Sequence, residues 1–148
     1  VVATGHNMDD EASRLLGNIL KWDLTRLSKH EPVLKAEGNM LKKKVKPLMR
    51  LTDYEIAAYA LTNKIDYIQR ECPMSKGATS IYYKDVLNRL EEKSPGTKQY
   101  FYLQFLKNAN IFKENNTGIN KIKKCKVCGM ESFSEICTYC RLMEKINE

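Results

Sequence analysis

Residues 1–20 read VVATGHNMDDEASRLLGNIL, and this stretch decides the fold class. Val1 to Thr4 are β-prone and run into a polar turn, Gly5-His6-Asn7, so they read as the end of a buried strand. From Asp9 onward the apolar residues Ala12, Leu15, Leu16, Ile19 and Leu20 recur at helical spacing. Asp9, Asp10 and Glu11 suit the positive end of that helix's dipole. In an open α/β sheet, ligands sit beyond the carboxyl ends of the strands, which is where this turn falls. The helix N-terminus adds amide donors for an anion, and an Asp beside it could hold Mg²⁺ or a ribose hydroxyl. A turn followed by N-capping acids is the plainer reading of the same residues.

Downstream, the apolar pattern fades from Lys29 to Pro47, where LKKKVKPLMR sets five basic residues between positions 42 and 50. That segment reads as an exposed connection or a short strand. Thr52-Asp53-Tyr54-Glu55 is a capping box, and Ile56, Ala57, Ala60 and Leu61 carry a helix to about Asn63. Ile65 to Ile68 read as a second short strand. Two amphipathic helices are predicted at 80–93 and 97–108, separated by Ser94-Pro95-Gly96, before a polar loop and a cysteine-rich tail. Strands alternating with helices imply a parallel sheet, but two short strands cannot complete one. The expectation is therefore the back half of an α/β domain, with the remaining strands preceding Val1.

The 148 residues are 43% apolar, enough for a real core, and carry 25 Lys and Arg against 18 Asp and Glu. A formal charge of +7 and a pI near 9.1 favour an anionic partner such as RNA, DNA or a nucleotide. No apolar run approaches the roughly 18 residues of a membrane span, so a cytoplasmic protein is expected. Five Cys, four of them in C-x-x-C pairs, suit a reducing compartment and metal ligation better than a disulfide framework.

CKVCGMESFSEICTYC carries the strongest chemical signal. Cys125, Cys128, Cys137 and Cys140 can close tetrahedrally on one Zn²⁺, leaving no coordination position for a substrate, so the site is structural. An iron-sulfur cluster on the same four is the other option. The flanking Lys121, Lys123, Lys124 and Lys126 either contact RNA phosphates or form a solvated rim. The run Lys42, Lys43, Lys44, Lys46 and Arg50 poses the same choice between a polynucleotide backbone and a solvated face. Cys72, in RECPMS, is by itself either a small core residue or a reactive thiol at a strand end. His30 and Trp22 imply no more than packing or surface placement.

Taken together, ATGHNMDDEA, VKPL, ECPMSKGATSIYYKDVLNRLEEKSPGTK, CKVCG and CTYC resemble the TtuA-type tRNA thiolases, members of the PP-loop ATPases that make 2-thiouridine. The resemblance covers nearly the whole chain, in order. It implies an α/β fold: the C-terminal part of a PP-loop (Rossmann-like, adenine nucleotide alpha hydrolase-like) parallel-sheet domain, followed by a small four-cysteine zinc ribbon or knuckle. The corresponding division is 1–112 for the catalytic portion with its helical extension, 113–123 for a linker and 124–148 for the zinc module. The implied reaction uses ATP and Mg²⁺ to adenylate a uracil carbonyl oxygen of tRNA, so that AMP leaves as sulfur enters. A T-loop uridine is the expected target and a wobble uridine the alternative, with a thiocarboxylated ubiquitin-like protein as sulfur carrier and a possible homodimer.

The resemblance also assigns residues. Gly5, His6 and Asn7 border the ATP pocket, Asp9 or Asp10 is a catalytic or Mg-assisting group, and Cys72 matches the last of three ligands to a 4Fe-4S cluster. Lys46 falls in the KPL element without an assigned role. The family's SGGxDS phosphate loop, the C-x-x-C of the other two cluster ligands and its N-terminal zinc module are not in these residues. The chain alone is therefore expected to be inactive, and a non-catalytic zinc-containing RNA-binding module is the reading from a different functional class.

Overall fold

The computed structural model describes residues 1–36, 38, 41–68, 73–75, 77–114 and 122–147. Strand β1 (Val2–Ala3) leads through the Gly5-His6-Asn7 turn into helix α1 (Met8–Leu20). Helix α2 (Leu24–Ser28), strands β2 (Val33–Leu34) and β3 (Lys44–Val45), and helix α3 (Asp53–Thr62) follow. A 3-10 turn at Pro73–Ser75 precedes the long helices α4 (Thr79–Lys93) and α5 (Thr97–Asn108), and then α6 (Asn110–Glu114). The tail is a hairpin of β4 (Lys123–Lys124) and β5 (Glu131–Ser132) closed by α7 (Thr138–Asn147).

The sheet order is β1-β3-β2. β1 and β3 are parallel, pairing Val2 with Lys44 and Ala3 with Val45, while β2 runs antiparallel to β3. The parallel partner of β1 is thus inside the basic run and not at Ile65–Ile68. Those four residues form no strand: they leave the C-terminus of α3 exposed, with the Ile65 N–H bonded to the Ala60 carbonyl. A strand written KKKVK hides its period because long cationic side chains occupy positions that β-branched residues usually mark.

Local chemistry explains the helices. Asn7 and Asp10 cap α1 reciprocally: the Asn7 side chain accepts the Asp10 N–H at 3.0 Å, and the Asp10 carboxylate accepts the Asn7 N–H at 3.2 Å. Thr52 and Glu55 do the same for α3, as the sequence predicts. Helix α5 begins at Gly96, whose φ of 89° a glycine adopts without strain, and Glu91 of the preceding helix accepts the N–H groups of Gly96 and Lys98.

The core forms where α1 packs on α4 and α5. Met8, Ala12, Leu15, Leu27, Met49, Leu87, Tyr102, Phe105 and Ala109 are buried there, with Leu16 and Ile19 packed at the margin. Leu20, expected on the apolar face, is 65% exposed at the helix end. His30 is not a surface residue: it is buried, with its ring edge-on to Tyr102 and Phe105. Among the described residues, no helix is long and apolar enough to cross a membrane.

Candidate functional site

Helix α1 begins with three consecutive acids, and each meets a lysine from a different part of the chain. Asp9 is buried; its Oδ2 accepts the Asp53 N–H at 2.7 Å and its Oδ1 is bonded by Lys98 of α5. Lys98 also donates to Asn88 Oδ1 at 2.8 Å. Asp10 is partly exposed, and its Oδ1 accepts from Lys84 of α4 at 2.9 Å. Lys84 donates a second bond to Asp53 Oδ2 at 2.7 Å, and the Asn7 side chain bonds the other Asp53 oxygen. Glu11, fully buried, holds Lys46 at 2.5 Å.

These contacts set the protonation states. Burial would lower the Lys84 amine, but its bonds to Asp53 and Asp10 carry it above the ordinary lysine value. Burial would likewise raise the Asp53 carboxyl, yet hydrogen bonds from Lys84 and Asn7 bring it below the ordinary carboxylate value. Lys84 and Asp53 are therefore both ionised at neutral pH, and Asp10 and Asp53 share the one Lys84 cation. Beside it, at the carboxyl end of β1, Thr4 Oγ1 and His6 Nδ1 are buried and make no hydrogen bond among the described residues. Two orphaned polar atoms at a strand end and helix N-terminus fit a polar ligand such as a nucleotide.

The sequence reading brought Gly5, His6, Asn7, Asp9 and Asp10 to one place, and so does the structure. It missed Asp53, Lys84 and Lys98, which complete the cluster. Lys98 stands in the SPGTK element and Lys84 in YYKD, so both were in view, but no spacing rule joins residues 74 and 89 positions away from their carboxylates. Lys46 departs from the basic run: it is buried against Glu11 and faces no solvent, whereas Lys42, Lys43 and Arg50 are exposed and Lys44 is half-buried. Burial also lowers the Lys46 amine against the opposing pull of Glu11. Cys72 lies outside the described residues.

A second site occupies the tail. The sulfurs of Cys125, Cys128, Cys137 and Cys140 all lie within 4.8 Å of one another, with Cys125–Cys140 at 4.0 Å and Cys128–Cys137 at 3.7 Å. A tetrahedron of thiolates with bonds of about 2.3 Å has edges of about 3.8 Å, so this set can hold a metal ion. The β4–β5 turn and the start of α7 each supply one C-x-x-C pair. Backbone N–H groups of Cys128 and Cys137 aimed at Cys125 bring its thiol down to about 6, while the neighbouring Cys137 sulfur, with burial and the other two, pushes Cys140 up to about 12. Cys125 is thus poised to ligate as a thiolate, whereas Cys140 gives up its proton only to a bound cation.

No protein-family model matches the chain. It is 48% identical over 149 residues to the tRNA-5-methyluridine(54) 2-sulfurtransferase of Pyrococcus horikoshii, covering 99% of this chain and 47% of that protein. The protein of the same name from Thermotoga maritima is 42% identical over all of this chain and 48% of its own length, and that of Thermus thermophilus 38% over 99% and 45%. Among solved structures, the U34-tRNA thiolase NcsA from Methanococcus maripaludis, determined with its 4Fe-4S cluster, superposes with a TM-score of 0.69 over 97% of this chain and 45% of its own, at 24% identity. The chain has the α/β fold of that thiolase. It spans about half the length of the curated relatives it matches, and along its whole length it is similar to the tRNA-5-methyluridine(54) 2-sulfurtransferases.

Proposed function

We propose that the chain is the C-terminal half of an ATP-dependent tRNA 2-thiouridine synthetase acting at the T-loop uridine. The alignment of the entire chain at 48% identity with a tRNA-5-methyluridine(54) 2-sulfurtransferase carries this reading. Identity falls to 30% with the tRNA 2-thiolation protein NcsA of Haloferax volcanii and with a cytoplasmic tRNA 2-thiolation protein of Chlamydomonas reinhardtii, which favours the T-loop target over the wobble position.

The chemistry asks for a nucleotide site and an ionised carboxylate beside it. The uracil oxygen attacks the α-phosphorus of ATP, pyrophosphate leaves, and sulfur then displaces AMP from the activated carbon. In this scheme Gly5, His6 and Asn7 face the nucleotide, and the orphaned Thr4 and His6 atoms supply its polar contacts. Asp10 holds Mg²⁺ or a proton, because it is partly exposed, whereas Asp9 is sealed beneath Lys98 and acts as a positioning residue. Cys72 would be one ligand of a 4Fe-4S cluster, which when bound carries sulfide; its remaining ligands belong to other residues. Cys125, Cys128, Cys137 and Cys140 take Zn²⁺ as a structural ion. Lys42, Lys43, Lys44 and Arg50 contact tRNA, a thiocarboxylated ubiquitin-like protein delivers sulfur, and the enzyme works as a cytoplasmic homodimer.

The test is mass spectrometry of nuclease fragments of tRNA incubated with the full-length protein, ATP, Mg²⁺ and a sulfide source. Thiouridine at position 54, reduced about 100-fold or more by Asp10→Asn, is the expected result. Thiolation at position 34 would establish the wobble enzyme instead, and full activity of Asp10→Asn would remove Asp10 from the site.

A further inference from the structure

A cavity of about 620 Å³ opens along α1 between Ser13 and Lys21. Its described walls include the cations Arg14, Lys21, Arg26, Lys29, Lys44 and Lys46, and no Asp or Glu. Three of these are spoken for: Lys46 and Arg14 by Glu11, and Arg26 by Asp23. Lys21 and Lys44 make no ion pair among the described residues. Lys29 has its ammonium 4.2 Å from the centre of the Phe133 ring, which belongs to the four-cysteine module. Thr79 and Ser80 bring in the N-terminus of α4, which no side chain caps. The rim therefore carries concentrated positive charge, with a helix dipole adding to it.

Two aromatic rings share the space. Tyr83 lies over Gly17, where an added Cβ would come within 2.8 Å of the ring, so the glycine lets the ring sit directly against the helix. Phe133 closes the opposite side. Cations beside aromatic rings are the elements that bind a strand of nucleic acid, the phosphate held by charge and the base by stacking.

We propose that this cavity holds one nucleotide of an RNA strand, its phosphate against Lys21, Lys29 and Lys44 and its base on Phe133 or Tyr83. The four-cysteine module then serves as one jaw of the RNA site. This rests on the tRNA reading above and adds a contact surface separate from the chemistry at Asp10.

The experiment measures tRNA binding to the whole protein across a salt series. Lys21→Gln/Lys44→Gln should weaken binding at least tenfold and flatten the log-affinity against log-salt slope by about 0.7, one phosphate contact's worth. Phe133→Ala should weaken it about tenfold with the slope unchanged. Lys64→Gln/Lys107→Gln, two exposed lysines elsewhere, sets the baseline for unspecific charge loss. If the double variant folds poorly, Lys21→Gln alone should weaken binding about threefold and flatten the slope in the same direction by a smaller amount. Losses equal to the baseline overturn the proposal and leave the thiolation reading standing. Stabilisation of the wild type by inorganic phosphate, abolished in the double variant while tRNA binding is not, would assign the cavity to a small anion and overturn the RNA occupant. A wild-type protein that binds no tRNA would overturn the thiolation reading, and this one with it.

Discussion

Replacing Lys46 with Met tests whether the Glu11–Lys46 pair is a desolvated unit of the core. Glu11 is 0% exposed and the Lys46 side chain 4%, with 2.5 Å between Nζ and Oε2. Lys46→Met keeps the volume and removes the charge, leaving Glu11 with Arg14 at 3.4 Å, itself half-exposed, and with His30 at 3.5 Å. Burial holds His30 at about 4, so it is neutral at pH 7 and supplies no compensating charge. Stranding a buried carboxylate costs about 3–5 kcal/mol, and Arg14's partial cover places the expectation near 3. For a chain of this size that lowers Tm by about 10 °C. Lys46→Met/Glu11→Gln removes both charges and should cost well under the sum of the two single changes. Urea unfolding of the four proteins gives the coupling directly. A Lys46→Met cost below about 1 kcal/mol, or additive single effects, would show that the pair is solvated and refute the reasoning.

Other expectations follow from the same contacts. His30 binds a proton near 6.5 when unfolded but only near 4 when folded, so its contribution is present above 6.5 and lost as pH falls; urea titrations should show stability dropping by about 1 kcal/mol between pH 6 and 5, and His30→Gln should remove that slope. With Zn²⁺ bound as proposed, Cys137→Ser should lose the ion and unfold the hairpin, read by metal analysis and proteolysis of residues 122–147 while the core transition stays in place. Lys84→Met removes the cation shared by Asp10 and Asp53, so the acid limb of the thiolation profile should move up by about one pH unit; an unmoved limb would place neither carboxylate in the reaction.

The legible parts of this fold were those written locally. The capping box at Thr52, the helices at 79–93 and 97–108 and the strand-turn-helix at the start each rest on residues a few positions apart, where spacing and geometry are linked. The four cysteines were legible because C-x-x-C pairs bring their own geometry. What escaped was long-range. β3 was legible only as one of two options, an exposed connection or a short strand, because Lys43, Lys44 and Lys46 disguise the pattern, and Lys46 was unreadable as a core residue because its burial depends on Glu11, 35 positions away. His30 belongs to the same group: only the convergence of α1, β3 and α5 makes it a buried ring.

That long-range order has a local origin. An α-helix turns about 100° per residue, so Asp9, Asp10 and Glu11 point in three different directions from one helix end. Asp9 reaches α5 through Lys98, Asp10 reaches α4 through Lys84, and Glu11 reaches the segment after β3 through Lys46. Three adjacent carboxylates thus tie three distant elements to a single turn. Two of the ties are buried and close their charge. The third is partly exposed and does not: Lys84 stands between Asp10 and Asp53, leaving one negative charge in excess beside the uncommitted Thr4 and His6 atoms. The rigidity of the buried ties fixes the position of the open one, and a partly exposed carboxylate held immobile at a helix N-terminus is what the role proposed above for Asp10 requires.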